Sequence, residues 1–104
     1  MLLQLLGKNS YLKDLAKQKY LIMKIVLTQA QYNLLIEVIK GTSSCCTLLS
    51  SKEDEVCVEM QEKDIENAID WLVYELDIEG FDANDELTPK GKILELLIDI
   101  LENI

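Results

Sequence analysis

The final segment, Lys90 to Ile104, constrains the fold most. It reads as a helix that is apolar nearly all round: Ile93, Leu94, Leu96, Leu97, Ile98, Ile100, Leu101 and Ile104, with only Glu95, Asp99 and Glu102 making a polar line. A helix of that kind has to be covered on more than one side. It therefore either sits centrally in a small domain or pairs with a second copy. Closed two-fold pairing is the commonest way to bury a repeated apolar patch, so a homodimer through Ile93, Leu97, Ile100, Leu101 and Ile104 is expected. Thr88 as N-cap and Pro89 as first helical residue mark where this helix starts.

Upstream, Thr28 to Lys40 is predicted as a helix. Thr28 and Gln31 stand at capping-box spacing, and Leu27 and Tyr32 flank the cap as a hydrophobic staple. Leu34, Leu35, Val38 and Ile39 form the inward face, and Gly41 supplies a left-handed stop. Helical periodicity is then lost. Val56, Val58 and Met60 alternate with Cys57 and Glu59, which predicts a half-buried strand. It is expected to pair back onto Cys45–Leu49 across a polar turn at Ser51–Asp54.

Asp64 to Ile78 is predicted as a second helix with two apolar stripes. Ile65, Ile69, Leu72 and Leu76 line one side. Trp71, Tyr74 and Ile78, at i, i+3 and i+7, line another. The second stripe either packs within the chain or meets a partner. Gly80 to Glu86 reads as a hairpin tip, with Phe81 and Leu87 anchoring its sides and Ala83-Asn84-Asp85 turning it. The expected class is α+β and helix-rich: one small domain over residues 23–104, with a β-hairpin and a long apolar C-terminal helix.

Residues 1–22 stand apart. Residues 1–24 carry five lysines against Asp14, a charge of +4, whereas residues 25–104 carry five lysines against eighteen acids, a charge of −13. Met23-Lys24-Ile25-Val26-Leu27-Thr28 resembles a bacterial start. The preceding residues are then a basic extension or arm, with Leu12, Leu15 and Ala16 on one face of a short helix capped by Ser10. An ordinary first helix of the domain is the alternative.

Little in the chain points to chemistry. With no histidine, the commonest general base and metal ligand is missing. Cys45, Cys46 and Cys57 lack ligand spacing and read as small buried residues in a reducing cytoplasm. Calcium-loop registers starting at Asp77 or Asp82 fail at the required glycine and glutamate positions. There is no Gly-rich phosphate loop, Gly-x-Ser-x-Gly elbow or Cys–His pair. Neither an enzyme nor a cofactor or metal is expected. No apolar run reaches the roughly 18 residues needed to span a membrane.

Residues 64–98 resemble the recognition helix, wing and terminal helix of winged-helix regulators of the multiple-antibiotic-resistance type. Glu86-Leu87-Thr88-Pro89-Lys90-Gly91-Lys92 carries the resemblance, which implies a winged-helix-like domain, a dimer and DNA reading by the helix beginning near Asp64. The charge runs against that last implication. Asp64, Glu66 and Asp70 would face phosphates with only Lys63 nearby, and the chain contains no arginine, while DNA binding relies on cations that displace counterions. The expected function is therefore a small acidic protein-binding regulator or inhibitor of phage or mobile-element type, acting in the bacterial cytoplasm. It would dock on a larger host protein of basic surface, such as a replication or transcription ATPase or a nucleic-acid-binding enzyme. Trp71, Tyr74, Ile78, Asp70, Glu75 and Phe81 are the expected contacts. A dimeric winged-helix DNA-binding regulator is the alternative.

Overall fold

The computed structural model describes residues 21–104. The expected arm therefore lies outside the described residues except for Leu21 and Ile22, of which Ile22 already opens the first strand. The order is β1 (Ile22–Leu27), α1 (Gln29–Ile39), β2 (Thr47–Lys52), β3 (Glu55–Gln61), α2 (Glu62–Glu79) and α3 (Pro89–Glu102). The class is α+β, with three helices among the described residues against a three-stranded antiparallel sheet of order β1-β3-β2.

Strand β3 is central because its alternation serves both neighbours. Val56, Val58 and Met60 are buried on one face, and Leu27, Ile25 and Met23 stand opposite them on β1. The hairpin partner differs from the expected Cys45–Leu49. It starts later and runs on to Lys52, which leaves a tight turn at Glu53-Asp54 with Glu53 at φ 56°. All six β2 residues are exposed, so no alternation marked the strand in the sequence. The Asp54 carboxylate accepts the Gln29 N–H at 3.0 Å, which ties this turn to the start of α1.

Helix α1 starts as its sequence requires. The Thr28 hydroxyl accepts the Gln31 N–H at 3.1 Å and Gln31 Oε1 accepts the Thr28 N–H at 2.9 Å. Gly41 takes φ 83° just past the C-cap. Leu34, Leu35 and Ile39 pack inward beside Val56, Leu72, Leu94 and Leu97 in one continuous core, with Val38 at its edge.

Helix α3 crosses α2 beside that core. Thr88 closes the junction: its N–H donates to the Gly80 carbonyl at 2.9 Å, and its hydroxyl accepts the Gly91 N–H at 2.9 Å. Between the helices, Phe81 and Leu87 form a single antiparallel bridge. The Asp82 carboxylate holds the N–H groups of Asn84 at 2.8 Å and Glu86 at 3.1 Å, so this acid organises the turn itself.

The set of residues expected to join two copies needs correction. Leu97 and Leu101 are buried within the chain's own core, because α1 and α2 together cover that side of α3. Ile93 and Ile100 pack partly against the core, while Ile104 is exposed. Leu96, left out of the expected set, is exposed among Glu95, Asp99 and Glu102. No described helix is long and apolar enough to cross a membrane.

Candidate functional site

Helix α2 begins without a side-chain cap, but Glu62 and Asp64 in its first turn complement the positive end of the helix dipole. It ends at Gly80, whose N–H donates to the Leu76 carbonyl at 2.9 Å. Ile65, Ala68 and Leu72 are buried, and Ile69 and Leu76 pack at the core margin. That one stripe meets the needs of the interior.

The other stripe stays outside. Trp71 is 42% exposed, Tyr74 58% and Ile78 55%. The two aromatic rings meet edge to face, with centroids 6.0 Å apart and planes at 86°. Such pairs are worth about 0.5–1.5 kcal/mol beyond their buried area, which favours this arrangement of the patch. Phe81, also exposed, follows three residues after Ile78 and just past the helix end. Asp70 is exposed beside Trp71 in sequence.

One expected contact acid, Glu75, and one acid of the DNA-facing set, Asp64, lie elsewhere. Glu75 faces α3, where the Lys90 ammonium reaches it at 3.3 Å and also pairs with Glu79. Lys90 is held above the ordinary lysine value, chiefly by its hydrogen bond to Glu79, with burial opposing and Glu75 adding. Glu75 therefore braces the α2–α3 junction instead of standing free for a partner. Asp64 is turned inward and only 6% exposed, so of the three acids set against DNA phosphates only Glu66 and Asp70 are exposed.

The cysteines depart from the expected burial. Cys45 is exposed in the loop before β2, and Cys57 is half-buried on the outer side of the sheet. Cys46 is half-buried as well, and burial, then the nearby Asp64 charge, push its thiol pKa upward. A thiol shifted in that direction is a poorer nucleophile at neutral pH. Among the described residues, no three Cys, Asp or Glu side chains gather as a metal set.

Comparison with known proteins yields no matching family model, no similar curated protein and no similar solved structure.

Proposed function

We propose that this chain is a small acidic protein-binding regulator that docks on a larger protein through the exposed flank of α2. The observation that carries the reading is the Trp71–Tyr74 pair: two large aromatic rings, edge to face and about half open to solvent, on a helix whose other stripe already fills the core. Trp and Tyr are the residue types that most often supply binding hot spots. The partner is a protein with a basic surface, since the body carries −13 and complementary charge speeds encounter and suppresses wrong partners. A host ATPase or nucleic-acid-binding enzyme blocked by a phage or mobile-element product fits that chemistry, in the bacterial cytoplasm.

The finer reading of the domain as winged-helix-like is supported by the Glu86–Lys92 step, where the Phe81–Leu87 bridge leads into the capped start of α3. Pairing of two copies remains part of the proposal, through the outward residues of α3, with Ile104 retained from the expected set. The test is capture from a bacterial lysate with immobilised wild-type, Trp71→Ala and Asp70→Lys proteins. A host protein retained by the wild type and lost with Trp71→Ala is expected, whereas equal retention by both proteins contradicts the proposed surface.

A further inference from the structure

The exposed apolar residues of α2 form a pattern. Trp71, Tyr74 and Ile78 stand three and then four residues apart, and exposed Phe81 follows three further on, just past Gly80. That 3-4-3 spacing gathers apolar side chains into one narrow seam, the spacing by which a helix packs on a facing helix. The core takes the stripe through Ile65, Ala68 and Leu72 instead. The two borders of the seam differ. On one, Glu75 is engaged by Lys90 of α3. On the other, Asp70 and Asp77 flank Tyr74, four residues before it and three after, and both are exposed. Neither closes an ion pair, the two ion pairs among the described residues both belonging to Lys90.

Charge beside such a seam decides which helix can lie on it. A second copy laid there would set Asp70 and Asp77 against their own kind or against Glu75, and like charges so placed are unfavourable. Cations on an incoming helix would instead meet both acids, which stand about 10 Å apart along the axis. We propose that the seam binds an amphipathic helix of the partner protein, its apolar residues against Trp71, Tyr74 and Ile78 and its lysines or arginines against Asp70 and Asp77. This rests on the docking reading above and deepens it, since the partner's basic surface becomes the flank of a helix. Recognition between helices through apolar anchors at i, i+3, i+4 and i+7 is a recurrent mode, and Trp71, Tyr74 and Ile78 supply the first, second and last of those positions.

Trp71 is the chain's single tryptophan, so its fluorescence reports on the seam directly. The test titrates the full chain with two synthetic three-heptad helices, both with leucine at the a and d positions, one with lysine and one with glutamate at e and g. It is run at about 150 mM salt, where charges more than about 8 Å away are largely screened. The lysine helix should give a saturable shift of Trp71 emission to shorter wavelength, and the glutamate helix should bind at least about tenfold more weakly. Asp70→Lys combined with Asp77→Lys should reverse that preference with the circular-dichroism spectrum of the protein unchanged, because both side chains are exposed. If the double reversal perturbs folding, Asp70→Asn with Asp77→Asn should still weaken binding of the lysine helix. Equal binding of both helices, a preference for lysine that survives the reversal, or no saturation overturns the proposal. Saturation that appears only after Lys13→Gln, Lys17→Gln and Lys19→Gln assigns the seam to the chain's own basic segment and overturns it as well. The titrations need no host protein, so the two readings fail separately: a captured protein lost with Trp71→Ala but held equally by the Asp70 and Asp77 reversal leaves the docking surface standing and removes the helix.

Discussion

A Cβ added to Gly91 would stand 2.9 Å from the Gly80 Cα and 2.8 Å from its carbonyl carbon, so α2 and α3 meet backbone on backbone. Any side chain at Gly91 pushes against main-chain atoms that Thr88 also holds. Gly91→Ala gains about 1 kcal/mol of helix propensity but overpacks a contact that cannot yield, at a typical cost of about 1–3 kcal/mol. Thermal unfolding should show a lower melting temperature for Gly91→Ala, and an unchanged or higher one would mean that the junction is looser than described.

Lys90 binds the same junction electrostatically, between Glu75 and Glu79. Its folded pKa is raised, so its contribution is complete below the unfolded lysine value of about 10.4 and is lost as pH rises through the higher folded value. With these side chains partly exposed, Lys90→Met should cost roughly 0.2–1 kcal/mol at neutral pH. The gap between the two proteins should close in denaturant titrations at strongly alkaline pH. A gap that persists or widens there would show that Lys90 acts through packing alone.

Most local signals were legible in the sequence because they are made by neighbours. Thr28 with Gln31, and Thr88 with Pro89 and Gly91, define helix starts within four residues, and the alternation of Val56, Val58 and Met60 declares a strand with one wet face. The two stripes of α2 could also be read from spacing, although spacing alone left open whether Trp71 faced core or solvent. What escaped depends on long-range assembly. Strand β2 is exposed throughout and has no pattern to betray its limits, and the pairing of β1 with β3 joins residues far apart in sequence, from Ile22 with Gln61 to Leu27 with Val56. The burial of Asp64 and the capture of Glu75 by Lys90 follow from how α2 is seated. In α3, apolar on nearly every side, periodicity could not say which leucines the chain itself would cover.

Leu97 and Leu101 therefore behave as core and Leu96 as surface. Leu97→Glu or Leu101→Glu should abolish cooperative unfolding, since an unpaired charge forced into the interior exceeds the stability of a small domain. Leu96→Glu should leave the circular-dichroism spectrum unchanged, and sedimentation equilibrium on that variant reads out whether outward α3 residues join two copies. A folded monomer from Leu97→Glu would contradict the placement of this residue.

Duplex DNA should bind weakly or not at all. The outward acids Glu66 and Asp70 on α2 oppose phosphate, and lysine contacts lose affinity steeply as salt displaces the counterion advantage. No shift in electrophoretic mobility is expected at about 150 mM salt, and a sequence-specific shift that survives there would favour the DNA-binding alternative.

The central claim is that the Trp71–Tyr74 face binds a partner instead of holding the fold. Titration calorimetry of the captured partner against wild type and Trp71→Ala, beside their melting curves, tests it most directly. Truncating a central interface aromatic commonly costs about 2 kcal/mol or more, a roughly thirtyfold loss of affinity, while the melting temperature should fall by less than about 5 °C. Unchanged affinity, or a protein that melts before it can bind, would contradict the account.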